Sequence, residues 1–166
     1  QNSTQMGIDL EHALFNMWSP HKVKLAVSGC PRNCAESGIK DVGIIGVDSG
    51  WELYIGGNGG IKTEAGEFFV KVKSAEEVME YSLAFLQLYR EEAFYLERTV
   101  HYLQRVGMDH IKKAVLNDAE RRKALYQRLL FSLSFEQDPW QEQLSKPQLK
   151  KEFDRIAVKQ LETENA

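Results

Sequence analysis

The sequence predicts an α+β fold: a small mixed sheet that carries a cysteine turn, followed by a helical C-terminal extension. Two observations predict it. Short apolar runs with the two-residue period of strands, separated by glycine-rich turns, fill residues 22–72. After residue 73 the turn signals thin out, and apolar residues recur at seven-residue spacing, the period of a helix face turned to a partner. The domain reading is therefore a sheet-bearing half over 1–73, a helical extension over 74–140 and a charged C-terminal helix within 141–166.

Each element has its own signal. Residues 1–5 are polar, and an amphipathic stretch with Ile8, Leu14 and Phe15 follows. Val23, Leu25 and Val27 alternate with Lys24, Ala26 and Ser28, which predicts the first strand. It runs into Gly29, Cys30, Pro31, Arg32, Asn33 and Cys34, and a short helix is expected through Glu36. Asp41 to Val47 reads as the second strand and Trp51 to Ile55 as the third, joined by turn residues Asp48, Ser49 and Gly50. Gly56, Gly57, Asn58, Gly59 and Gly60 end the third strand, and Phe68 to Val72 forms another. Ser74 with Glu77 is a capping box that opens a helix running to about Val106. On it Met79, Leu86, Ala93 and Val100 form one row, and Tyr89, Leu96 and Leu103 its neighbour. Gly107 suits the stop. Asp109 caps a short helix through Leu116. Asn117 and Glu120 form a second box, for a helix to about Phe135 with Leu125, Leu129, Leu130 and Leu133 inward. Asp138 and Pro139 break it. A last helix runs from about Lys146 to Glu162.

Composition excludes several function classes. The chain has 166 residues, 43% hydrophobic and 27% charged, which is ordinary for a folded domain. Its net charge of −3 offers no basic excess for nucleic acid. No apolar run approaches the ~20 residues of a membrane span. Two cysteines are too few for a disulfide-built scaffold. The chain opens on Gln1 without an initiator Met or a signal peptide, so it reads as a piece of a longer polypeptide.

Cys30 and Cys34 are the chemistry-bearing pair. C-x3-C spacing puts two sulfurs on one side of a tight turn, where thiolates hold soft metals and clusters. The same pair could equally be two ordinary reduced thiols. A zinc site fits poorly, because it takes four ligands and His12, His21, His101 and His110 have no companion spacing. Redox dithiols favour C-x2-C. The glycine cluster, neither GxGxxG nor a P-loop, reads as a flat-ligand cradle with N–H groups for carboxylates, or as a hairpin turn.

Taken together these motifs are more specific. A strand from Val23 delivering Gly29-Cys30-Pro31-x-x-Cys34, then residues 41–46 and then 51–60, resembles the second half of the sirohaem and 4Fe–4S domain of the nitrite/sulfite reductase family. Within it, the chain is most similar to the large-subunit branch that reduces nitrite with NAD(P)H. Residues 89–99 and 104–111 resemble that branch's C-terminal region. The likeness covers about residues 1–140. It implies that Cys30 and Cys34 are the second of two cysteine pairs holding a 4Fe–4S cluster, with Cys34 bridging to sirohaem. The first pair would lie upstream of Gln1. It implies Arg32, with Lys40 and Lys62 as further cations, for sirohaem carboxylates. Asn33 would donate to a cluster sulfur, and Gly56, Gly57 and Asn58 would approach the macrocycle. FAD and NAD(P)H serve domains of the longer protein.

The resemblance assigns no catalytic residue within this chain. Alone, the chain is expected to be inactive and free of cluster and sirohaem, with its cysteines reduced or adventitiously oxidised. Its expected partners are the upstream part of the same polypeptide and a small reductase subunit. Neither nucleic acid nor membrane is expected, and the compartment is cytoplasmic. An exposed sheet edge or bare apolar face is expected where the upstream half would lie. The rival readings are a sulfite reductase piece, a helical module over residues 74–135 that docks a partner subunit, and a metal–thiolate sensor.

Overall fold

The computed structural model describes residues 1–135 and 138–146. Residues 1–134 form one compact unit, and a second unit begins at Phe135. The first unit contains α1 (Ser3–Leu14), β1 (Leu25–Ser28), a 3-10 turn (Ser37–Ile39), β2 (Val42–Val47), β3 (Gly50–Ile55) and β4 (Glu67–Val72). The helices α2 (Ala75–Glu92), α3 (Thr99–Val106), α4 (Met108–Val115) and α5 (Ala119–Leu133) follow. In the second unit, α6 (Pro139–Ser145) starts at Asp138, whose carboxylate accepts the Trp140 N–H at 2.9 Å. The expected break at Asp138 is thus a new helix start. The helix expected over 146–162 falls outside the described residues beyond Lys146.

The fold class is as the sequence predicts: α+β, with one mixed sheet of order β1-β2-β3-β4. β1 and β2 are parallel, and the other pairs are antiparallel. Parallel neighbours cannot be joined by a tight hairpin. The crossover between β1 and β2 is the cysteine-bearing segment 29–41, so topology lifts both cysteines out of the sheet. In place of the helix expected through Glu36 there are turns, with Glu36 in the left-handed region at φ 54°, and then the 3-10 turn.

The core joins the sheet to α2. Val42, Ile44, Leu53, Ile55 and Phe69 meet Val78, Leu83, Phe85, Leu86 and Leu88 in one buried cluster. The capping box forms as expected, with Ser74 Oγ accepting the Glu77 N–H and the Glu77 carboxylate accepting the Ser74 N–H. α5 packs on α2 through Leu125 and Leu129 and is tied to it by Arg122–Glu80 and Arg128–Glu91, each at 2.7 Å. Its start is one residue later than expected. Asp118 caps it, accepting the Arg121 N–H at 2.8 Å, because a carboxylate there reaches the third helical nitrogen. Asp109 sits in the first turn of α4 rather than capping it, and Gly107 alone separates α3 from α4.

The long helix expected from Ser74 to Val106 is broken. α2 ends at Glu92, and Leu96 reverses the chain at φ 65°. The reversal is fixed from elsewhere. Leu96 N–H donates to Pro20 O at 3.0 Å, the Glu97 carboxylate accepts the Phe94 N–H at 2.9 Å, and Arg105 grips Glu97 at 2.7 Å. The two apolar rows are therefore not faces of one helix. Tyr89 and Leu103 are core residues, and only Leu96 of that row is exposed. Making all three polar would unfold the chain rather than test a docking face.

Tyr89 and Tyr102 meet edge to face at 5.6 Å inside this core. Burial raises both phenols, that of Tyr89 to about 12 and that of Tyr102 further. In an unfolded chain they ionise near pH 10. Between those limits the unfolded state releases protons that the native state retains, so stability present below about pH 10 is lost as pH rises. The denaturation midpoint should fall between pH 9 and 11, and less steeply in Tyr102→Phe. Equal slopes in the two proteins would refute this origin.

Candidate metal centre

Cys30 and Cys34 lie exposed on two consecutive turns at the end of β1, and no disulfide joins them. Asn33 N–H donates to Cys30 O at 3.2 Å, and Glu36 N–H to Asn33 O at 2.9 Å. The second turn begins from a left-handed Asn33 at φ 53°, a conformation asparagine tolerates better than most residues. Beneath the turns lies a buried polar knot. Ser28 Oγ and Ser37 Oγ share a hydrogen bond at 2.9 Å, and Ser28 Oγ also accepts the Ala35 N–H at 3.2 Å. Asn33 Oδ1 accepts the Gly38 N–H at 3.2 Å and faces Ser28 Oγ at 3.4 Å. Sequence reasoning singled out neither serine. The available signal was polar residues at strand-end positions that topology buries.

The glycine loop is brought against the same segment. Gly56 N–H donates to Asp41 O and Gly57 N–H to Lys40 O, both at 3.0 Å, and Gly66 N–H to Gly38 O at 2.8 Å. A Cβ on Gly56, which has φ 73°, would lie 2.5 Å from Leu103 Cδ2, and one on Gly57 would lie 2.6 Å from Lys40 O. These two glycines allow the loop to lie on the chain's own backbone. Their N–H groups are engaged there and do not point at an external carboxylate. Asn58 closes the loop, pairing with Glu64 through both main-chain groups at 2.9 Å and donating from Nδ2 to Lys62 O at 2.7 Å.

Asp41 anchors this assembly, and sequence reasoning used it only as a strand start. It is fully buried, and its carboxylate accepts Lys24 N–H at 2.9 Å, two hydrogen bonds from Arg98 Nη2 at 2.9 and 3.0 Å, and the Thr99 hydroxyl. One side chain thus ties β1, the glycine loop and the start of α3 together. Among the three candidate cations, Lys40 pairs with Glu36 and Lys62 with Glu64. Arg32 is exposed beside the cysteines and carries no ion pair among the described residues.

The donors present fit half of a cluster site. A 4Fe–4S cluster takes four thiolates, and the chain holds two cysteines. Among the described residues no three His, Cys, Asp or Glu side chains converge on a metal position. His12, His101 and His110 are exposed, and none joins the cysteine turn. Two solvent-facing thiols on a braced turn suit a centre completed by ligands from outside the chain.

Comparison with known proteins gives a consistent picture. Residues 1–123 match the family described as "Nitrite and sulphite reductase 4Fe-4S domain". The chain is 55% identical to "Nitrite reductase [NAD(P)H]" of Bacillus subtilis (strain 168), covering 92% of the chain and 19% of that protein. It is 33% identical to "Sulfite reductase, assimilatory-type" of Nitratidesulfovibrio vulgaris, covering 70% of the chain and 53% of that protein. The solved structure of Mycobacterium tuberculosis NirA protein matches its fold with a TM-score of 0.51 at 22% identity, over 65% of this chain and 22% of that one. The chain thus spans about a fifth of the nitrite reductase it matches. No described helix is long and apolar enough to cross a membrane.

Proposed function

The chain belongs to the nitrite and sulphite reductase 4Fe–4S domain family, and we propose that it contributes Cys30 and Cys34 as two of four thiolates of a cluster in a longer reductase. One observation carries this. The nitrogen of Gln1 donates to Gly29 O at 2.8 Å, so chain preceding Gln1 in the longer protein would arrive beside Cys30. A second cysteine pair on that stretch would face the exposed one.

In this reading the whole reductase converts nitrite to ammonium, taking six electrons and eight protons and releasing two waters. NAD(P)H supplies the electrons through FAD. Sirohaem beside the cluster supplies the site where nitrite is reduced. This chain's part is to fix Cys34 at their junction and to offer Arg32 to a sirohaem carboxylate, a charge-assisted contact. Its partners are the upstream part of the polypeptide and a small reductase subunit. The compartment is the cytoplasm, where thiols stay reduced. The higher identity to the nitrite reductase favours nitrite over sulfite as substrate.

The test is iron analysis of a longer chain that includes the upstream portion, purified anaerobically, beside the 166-residue chain. The longer chain should hold four irons plus sirohaem, and Cys34→Ser should lose the cluster. The 166-residue chain should hold no stoichiometric cluster. An iron-free longer chain, or a Cys34→Ser variant with full iron, would overturn the proposal.

A further inference from the structure

Asn33 sits between the cysteines, and its side chain turns inward. Its left-handed backbone places it at the corner of both turns, where its N–H is held by Cys30 and its C=O by Glu36. Its Oδ1 accepts from Gly38 N–H, across the base of the loop from Cys34. The atoms it meets cannot drift. Ser28 is 4% exposed and Ser37 0%, and they hydrogen-bond each other. Gly38 is pinned on its other side by Gly66 N–H. One amide oxygen therefore fastens a flexible exposed turn to an immobile buried base.

We propose that Asn33 is a positioning residue that holds Cys30 and Cys34 set toward one soft-metal centre, through this inward hydrogen bond and not through contact with the metal. The proposal deepens the reading of the pair as cluster ligands and rests on it. It changes the role expected for Asn33, whose amide braces the thiolates from behind. Partners that orient metal ligands in this way are typically worth 10–100-fold in metal affinity.

The test uses the 166-residue chain and Cd²⁺ alone, a soft ion that two thiolates can hold. Binding is followed by sulfur–cadmium charge-transfer absorbance, and folding by thermal denaturation. Asn33→Gly keeps the left-handed backbone free of strain and deletes the brace. It should bind Cd²⁺ about 10–100-fold more weakly, with the melting curve retained. Asn33→Asp keeps an acceptor oxygen at the same place and should bind within a few-fold of the parent. Cys30→Ser should abolish the two-thiolate signal. Asn33→Gly binding like the parent, Asn33→Asp binding as weakly as Asn33→Gly, or a parent chain that engages Cd²⁺ through one thiol only would each overturn the proposal. Failure here leaves the iron content of the longer chain unaffected, so the two readings fail separately.

Discussion

Replacing Asp41 by Ala lowers the stability of the chain by about 3–5 kcal/mol. The carboxylate is fully buried, and the Arg98 side chain that meets it is only 13% exposed. Deleting the acid leaves a guanidinium in the interior without its counter-charge, and leaves Lys24 N–H and the Thr99 hydroxyl without their acceptor. An unmade buried hydrogen bond costs roughly the desolvation of the stranded group, about 1–3 kcal/mol. Arg98→Ala is expected to cost less, because the carboxylate keeps Thr99 and Lys24. Arg98→Ala made in the Asp41→Ala background should cost far less than in the parent, since the stranded charge is then gone. Urea denaturation of the parent, the two single variants and the double variant reads this directly. A loss below about 1 kcal/mol for Asp41→Ala would show that water reaches the pair and that it holds nothing together. The same substitution loosens the glycine loop, whose Gly56 N–H is held by the Asp41 carbonyl.

What the sequence made legible follows the range of the signals. Strand alternation and the Ser74–Glu77 box act within a few residues, so β2, β3 and the start of α2 fall where local chemistry puts them. The break after Glu92 is not local. Leu96 is neither glycine nor proline, and its reversal is held by Pro20 O and by Arg105 through Glu97, partners that only the tertiary fold supplies. Asn117 and Asp118 are adjacent cap-forming residues, and the phase of α5 against α2 chooses the second.

The site shows the same division. Its cysteines were legible because thiol chemistry and spacing are written in the chain. Its supports were not. Asp41 and Arg98 are 57 residues apart, and nothing local marks them as a pair. The glycine cluster was ambiguous in principle. A missing Cβ admits a ligand or another stretch of backbone equally well, and at Gly56 and Gly57 the structure shows Leu103 and residues 39–40 in that space. Asn33 stood out as polar beside a ligand, but the direction of its amide depends on where Gly38 N–H comes to rest.

Gly43→Ala is the second large effect expected, and it connects the sheet to the cysteine turn. Gly43 sits mid-strand in β2, paired with Ala26 on one side and Tyr54 on the other, so its backbone cannot swing away. A Cβ there would lie 1.9 Å from Ser37 O and 2.6 Å from Ser37 C. Both are main-chain atoms, so no side-chain rotation relieves the clash. Ser37 can yield only by breaking its hydrogen bond to Ser28 and pulling Gly38 from Asn33. The cost should reach about 3 kcal/mol, the upper end for overpacking a filled interior. Part of it should appear as a displaced turn, with faster alkylation of Cys30 and Cys34. Gly7→Ala is the matched control. It lies inside α1 with nothing within 4 Å of the added carbon, so it should stabilise by about 0.5–1 kcal/mol through helix preference alone. If Gly43→Ala unfolds within 1 kcal/mol of the parent and alkylates at the parent's rate, the turn is not seated on β2, and the brace from Ser28 through Asn33 loses its footing.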